Sequence, residues 1–123
     1  MAAELYFTEP PSAHGARPPI VVDASVIAVI VFAEPELDLA HARLRGYTPI
    51  APTLLDFEIA NATTARLRRR AIRTDEANLA MLDFLELPIE RAEIDAAALP
   101  VLADRFGLTA YDAAYLWLAG EVR

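Results

Sequence analysis

The chain alternates between short apolar runs and longer segments in which apolar positions recur every three or four residues. The short runs lie at residues 20–22, 49–51 and, less apolar, 88–92. Such runs are typical of strands buried on both faces of a sheet, and the longer segments are typical of amphipathic helices. Strands that alternate with helices across short connections predict an α/β sandwich around a short parallel sheet.

Proline, glycine and capping residues mark where the helices are expected to begin and end. Helices are predicted for residues 25–32, 35–45, 53–70 and 109–120, and a further helix is predicted to begin at a capping residue, Thr74. Residues 25–32 are rich in β-branched side chains, so the pattern alone also allows a strand there. Gly46 and Gly107 are expected to follow helix C-termini. Pro100 either kinks a helix over residues 95–107 or lies at its start, because proline is tolerated in a first turn.

Residues 1–18 differ in composition from the rest of the chain. Pro10, Pro11 and Pro18 are separated by small and polar residues, which is typical of a linker. We predict a leader or linker over residues 1–18, in which residues 5–8 are a candidate short strand. A single domain is then expected over residues 19–123, because a chain of 123 residues suits one small core.

Composition excludes several classes of protein. The absence of cysteine excludes disulfides and thiolate zinc sites, and His14 and His41 are both expected to be solvated. The net charge is −7, whereas proteins that bind nucleic acid by non-specific attraction are basic. We expect no signal peptide, because the N-terminus has no basic segment followed by an apolar core. We expect no membrane span, because no stretch approaches the roughly 20 apolar residues that a span needs, and a cytoplasmic location is the default expectation.

Three acidic residues, Asp23, Glu58 and Asp112, interrupt apolar stretches. An ionised carboxylate in apolar surroundings is costly unless it is paired, hydrogen-bonded or bound to a cation. Asp23 is expected to end the first strand, at the edge where open parallel sheets bind ligands. Glu58 lies more than one turn inside its helix, and Asn61 shares its face. Three such acids, far apart in sequence, predict one shared cation.

The residue pattern also leaves a structural interpretation open for each acid. Asp23 could cap the following helix, although Ser25 could do so instead and leave Asp23 free. Thr109 and Asp112 have the spacing of a capping pair. Glu58 could lie at the edge of an apolar stripe and pair with an arginine. Taken singly, the acids at the two helix starts are therefore ambiguous, and Glu58 is the hardest to explain structurally.

The chemistry of three carboxylates favours a hard cation such as Mg²⁺ or Mn²⁺. Such a cation can hold a phosphate and activate water, so an all-carboxylate site favours phosphodiester hydrolysis. One dense basic cluster accompanies the acids: Arg66, Arg68, Arg69, Arg70 and Arg73. The cluster is interpreted equally well as a solvated helix C-terminus or as a surface that contacts RNA phosphates or an acidic partner.

Three motifs surround the acids: Val21-Val22-Asp23-Ala24-Ser25, Glu58-Ile59-Ala60-Asn61 and Leu108-Thr109-Ala110-Tyr111-Asp112-Ala113-Ala114-Tyr115. In order and spacing they resemble those of PIN-domain ribonucleases, and more narrowly those of the VapC toxins of bacterial toxin–antitoxin pairs. The resemblance covers about residues 20–121, and the third motif is the most specific.

This resemblance implies a PIN-like three-layer α/β/α sandwich and an Mg²⁺- or Mn²⁺-dependent endoribonuclease acting on RNA, often tRNA or rRNA. It also implies a cognate VapB-like antitoxin and a homodimer. Carried over by position, it implies two sets of site residues: catalytic, metal-binding carboxylates at Asp23, Glu58 and Asp112, and supporting residues at Ser25, Asn61 and Thr109.

Members of that family usually continue past the last helix with another strand and a fourth acid, whereas this sequence ends at Glu121-Val122-Arg123. We therefore expect the usual C-terminal strand to be lacking. Either the PIN-like domain over residues 19–123 is truncated, or another segment covers the edge, with residues 5–8 or a neighbouring chain as candidates. One alternative function is a PIN-like module that binds antitoxin or RNA with little or no cleavage. A phosphohydrolase with Asp23 as nucleophile is weaker, because haloacid-dehalogenase-type enzymes need a second Asp where this chain has Ser25.

Overall fold

A three-stranded parallel sheet forms the centre of the fold. The structure is a computed structural model that describes residues 17–122. Its strands are β1 (Pro19–Val21), β2 (Thr48–Pro52) and β3 (Glu90–Ala92), in the spatial order β1-β2-β3. All pairings are parallel, which confirms the predicted fold class. Residues 1–16 of the predicted leader, which include the candidate strand at residues 5–8 and His14, lie outside the described residues.

Helices follow each strand, as the sequence pattern predicts. The described residues form α1 (Ala24–Val31), α2 (Leu37–Leu44), α3 (Leu54–Arg68), α4 (Thr74–Glu86), α5 (Leu99–Phe106) and α6 (Ala110–Glu121), with one 3₁₀ turn at Ala96–Ala98. Pro100 lies in the first turn of α5, which confirms the prediction that it lies at the start of a helix and does not kink one. Gly46 and Gly107 follow α2 and α5 with φ of 85° and 64°, a conformation that glycine adopts without steric cost. Within residues 17–122, no helix combines the length and apolarity needed to cross a bilayer.

Helices cover the sheet in layers that match a PIN-like α/β/α arrangement. Helices α1, α3 and α4 pack together, while α5 packs on α6, and α6 contacts β1 and β2. The core between them is closed by side chains that are fully shielded from solvent: Ile27, Leu55, Ile59 and Phe84. Leu55 and Ile59 both belong to α3, so burial of these two side chains fixes the helix that also carries Glu58.

Two predicted helix caps form differently in the structure. The spacing of Thr53 and Asp56 predicts a capping box, but Thr53 is already helical and its side chain caps nothing. Asp56 instead accepts two hydrogen bonds from Arg91, at 2.9 Å from Nε and 2.7 Å from Nη2. This pair ties β3 to the first turn of α3. Thr74, predicted as a cap, is the first residue of α4, and Arg73 occupies the capping position.

His41 is buried, so the prediction that it is solvated is wrong. Its exposed fraction is 1%, because it lies on the face of α2 that also carries Leu37 and the buried Leu44. Burial lowers the pKa of His41 from its ordinary value of 6.5; the charge of Asp38 raises it and that of Arg45 lowers it, with a net downward shift.

This burial predicts a pH-dependent stability. A histidine whose pKa is lower in the folded state binds fewer protons there than in the unfolded chain, so the folded state loses stability as pH falls below 6.5. We expect the urea midpoint to fall between pH 7.5 and about pH 5.5, and to fall less in His41→Leu. The readout is the change between the two pH values in each protein. An unchanged pH dependence in His41→Leu would contradict the assignment.

Candidate functional site

Asp23 lies directly beyond the carboxyl end of β1, at the start of α1. It is the N-cap of that helix: its Oδ1 accepts the backbone N–H of Val26 at 3.1 Å. The hydroxyl of Ser25 donates to the same oxygen at 2.7 Å. Of the two interpretations that the sequence leaves open, the structure therefore has Asp23 as the cap, and Ser25 donates to Asp23 instead of replacing it. Both side chains are exposed, and Oδ2 of Asp23 accepts no hydrogen bond from residues 17–122.

Glu58 lies on α3, beside the buried stripe formed by Leu55 and Ile59, and is half-buried. Its Oε1 accepts a hydrogen bond from the hydroxyl of Tyr115 on α6. An arginine partner, the structural interpretation left open by the sequence, is not found among the described residues. A neutral donor therefore restrains this carboxylate, and its negative charge is not compensated.

Asp112 lies in the first turn of α6. Its backbone N–H donates to Oγ1 of Thr109 at 3.1 Å, so Thr109 is the predicted N-cap. The carboxylate of Asp112 takes no part in this cap and is exposed. Both interpretations of the pair hold together, because the cap uses the backbone of Asp112 and leaves its side chain available.

A single cleft of about 420 Å³ brings the three acids together. Its lining residues come from α1, α3, α6 and the turn before α6: Asp23, Ala24, Ser25, Glu58, Leu108, Asp112 and Tyr115. The cleft lies beyond the carboxyl ends of the strands, where ligand sites of open parallel sheets are found. Asp23 and Asp112 are exposed on the cleft, although the sequence around all three acids is apolar.

The negative charges of Asp23, Glu58 and Asp112 all act on the hydroxyl of Tyr115. Burial raises the pKa of Tyr115 most, the hydrogen bond to Glu58 raises it further, and the charges of Glu58, Asp23 and Asp112 add to the shift. Within residues 17–122, none of the three acids forms an ion pair. The same residues contain no group of three acidic or histidine side chains close enough to be a ready-made cation site. The cleft is thus acidic and uncompensated, but its carboxylates are not gathered around one point.

The predicted supporting residues take different places. Ser25 lines the cleft and donates a hydrogen bond to Asp23. Thr109 does not line the cleft and caps the N-terminus of α6. Asn61, one turn beyond Glu58, is exposed and lies outside the lining.

The basic cluster is divided in the structure. Arg66 is half-buried: its Nη2 donates to Oε1 of Glu34 at 2.7 Å, and its guanidinium lies 3.8 Å from the ring centre of Phe32. Arg73 pairs with the exposed Asp75. Arg68, Arg69 and Arg70 are exposed and form no ion pair with described residues. Arg68 lies ten residues from Glu58 along α3, roughly 15 Å at 1.5 Å per residue, so these side chains lie away from the cleft.

Tyr115 is the one polar residue of the cleft lining to which the sequence assigned no function. It follows Asp112 by three residues, and positions i and i+3 of a helix share a face. This spacing was sufficient to place Tyr115 beside the acids, but its contact with Glu58, 57 residues earlier, depends on the packing of α6 against α3.

Comparison with known proteins agrees with the motif and the cleft. The chain is 31% identical over 100 residues to Ribonuclease VapC12 from two strains of Mycobacterium tuberculosis, an alignment that covers 81% of this chain and 78% of the relative. No family model matches the sequence. On the identity and coverage of these relatives, the chain belongs to the VapC family of ribonucleases.

Proposed function

We propose that this chain is a metal-dependent endoribonuclease toxin that hydrolyses RNA phosphodiester bonds under the control of a VapB-like antitoxin. The observation that carries the proposal is the one cleft that Asp23, Glu58 and Asp112 line from three separate helices. The Mycobacterium tuberculosis relatives are named as ribonucleases, which supports RNA hydrolysis as the reaction.

The donors in the cleft fit a divalent cation by their chemistry. Carboxylate oxygens are the preferred ligands of Mg²⁺ and Mn²⁺, with water completing the coordination. The three acids have no compensating cation among the described residues, so a divalent ion would relieve their mutual repulsion. Because they do not form a ready-made group, binding would require the exposed carboxylates of Asp23 and Asp112 to draw closer to Glu58.

Asp23, Glu58 and Asp112 would hold the cation, which supplies neutralisation of the phosphate charge and a lowered pKa for water. Ser25 orients one carboxylate, because its hydroxyl donates to Oδ1 of Asp23, and Oδ2 accepts no hydrogen bond from residues 17–122. Without a cation these three charges would repel an RNA phosphate, so the same residues make substrate binding depend on the metal.

The proposal also includes two partners, a protein that covers exposed leucines and the RNA substrate. Three leucines spaced along α4, Leu79, Leu82 and Leu85, are exposed by 59%, 57% and 61%. Apolar patches of this kind are typical of protein–protein contacts and support an antitoxin or a second copy of the chain as partner. Arg68, Arg69 and Arg70 support contact with RNA beyond the cleaved phosphate, since they are exposed and unpaired among the described residues.

The proposal is tested by incubating the chain with tRNA and rRNA in the presence of Mg²⁺, Mn²⁺ or EDTA. We expect discrete fragments with either metal and none with EDTA, which removes the cation that the carboxylates hold. Intact RNA under all three conditions would contradict the proposal.

One observation favours the alternative, a PIN-like module that binds antitoxin or RNA without cutting. The described carboxylates do not form a ready-made cation group, and a pure binder needs none. Titration calorimetry with Mn²⁺ separates the two functions. A nuclease should give a heat of Mn²⁺ binding that is lost when the carboxylates are replaced. A pure binder should still bind RNA but give no such heat.

A further inference from the structure

We propose that Tyr115 is a positioning residue that holds the carboxylate of Glu58 in place for cation binding. This inference rests on the function proposed above. Its basis is a direct contact: the hydroxyl of Tyr115 donates to Oε1 of Glu58, and both side chains line the acidic cleft.

Glu58 needs such a restraint more than the other two acids. Asp23 is held by a backbone N–H and by Ser25, and its side chain is short. Glu58 has a longer side chain, and its one hydrogen bond from described residues is that from Tyr115. The apparent affinity of a site falls in proportion to the fraction of time its ligands are correctly placed. A Glu58 that visits several rotamers would therefore bind the cation more weakly.

The nature of the donor distinguishes this acid from the structural acids of the fold. Glu34 and Asp56 are held by Arg66 and Arg91, which cancel their charge. Tyr115 fixes Glu58 through a neutral hydroxyl, so the carboxylate keeps its full charge. The single phenolic hydrogen engages Oε1 and leaves Oε2 open. The arrangement restrains an anion without neutralising it, which is what a cation ligand requires.

Tyr115 is itself held rigidly. Its ring is half-buried and packs against the main apolar core, and it lies on the same face of α6 as Asp112, three residues earlier. Helix α6 therefore supplies one acid of the cleft directly and restrains a second acid that belongs to α3. A shift of α6 would disturb both together.

The test uses the full chain without RNA and measures Mn²⁺ binding by the loss of the electron paramagnetic resonance signal of free Mn²⁺. Tyr115→Phe keeps the ring and removes only the donor, and we expect its Mn²⁺ affinity to fall about tenfold, as is typical when a partner of a metal ligand is removed. Tyr111→Phe is the matched control, since Tyr111 lies one turn earlier on α6, is 65% exposed and does not line the cleft. It should bind Mn²⁺ within about twofold of wild type, and thermal unfolding verifies that both variants are folded.

RNA cleavage against Mn²⁺ concentration gives the second readout. A lost restraint can be overcome by more cation, so Tyr115→Phe should recover nearly wild-type cleavage at saturating Mn²⁺, whereas Glu58→Gln should not. Wild-type Mn²⁺ affinity in Tyr115→Phe would overturn the positioning role. So would a cleavage defect that saturating Mn²⁺ does not restore, because the hydroxyl would then act on the RNA. If the wild-type chain itself binds no Mn²⁺, the proposed nuclease function fails, independently of any difference between the variants.

Discussion

Asp112→Asn is expected to lower RNA cleavage by at least about 100-fold while leaving the fold intact. A bound cation contributes several kcal/mol of charge stabilisation in the transition state, and each 1.36 kcal/mol corresponds to about tenfold in rate. The substitution is expected to leave the fold intact because the carboxylate of Asp112 forms no hydrogen bond or ion pair with the described residues. The helix cap uses its backbone N–H and the hydroxyl of Thr109, and asparagine keeps the shape of the side chain.

The measurement is the initial rate of fragment formation at saturating RNA and Mg²⁺, compared with the unfolding midpoint of each variant. Asp104→Asn is a matched control, since it removes one negative charge from an exposed position of α5 outside the cleft. It should retain the wild-type rate. Asp23→Asn should behave like Asp112→Asn with an unchanged midpoint, because asparagine is as good an N-cap as aspartate. An Asp112→Asn variant as active as Asp104→Asn would remove Asp112 from the site.

The strands and most helix ends could be predicted because their signals are local. The apolar run at residues 20–22 and the glycines that follow α2 and α5 need no knowledge of distant residues. His41 was also within reach, because it shares a helical face with Leu37 and Leu44. The error was to interpret a polar residue as solvated without placing it on its helix.

The partners of charged residues could not be predicted, because they depend on how elements pack. Arg66 meets Glu34, 32 residues earlier, and Arg91 meets Asp56, 35 residues earlier. The exposure of Asp23 and Asp112 has the same origin. The adjacent Val22 and Ala113 are buried, whereas the two acids are exposed on the cleft. Sequence order identified the three acids, and the cleft they share follows from the assembly of α1, α3 and α6.

Phe84→Ala is expected to destabilise the fold by about 3–5 kcal/mol, the usual cost of deleting a buried aromatic ring. Phe84 on α4 is 0% exposed, and the guanidinium of Arg91 lies 5.2 Å from its ring centre. Removing the ring would therefore open a cavity in the core and also loosen Arg91, which anchors the first turn of α3 through Asp56. A loss of this size is a large part of the 5–15 kcal/mol that typically stabilises a small domain.

Phe57→Ala provides the matched comparison, because it deletes the same ring from α3 at a position that is 74% exposed. Surface substitutions of this kind change stability by no more than about 0.5 kcal/mol. Urea unfolding of both variants measures the difference directly, and equal losses would show that Phe84 is not the core residue described.

Phe57→Ala also keeps Leu55 and Ile59 in place. It should therefore leave Glu58 in the cleft, whereas loosening Arg91 in Phe84→Ala should lower RNA cleavage even under conditions in which the variant remains folded.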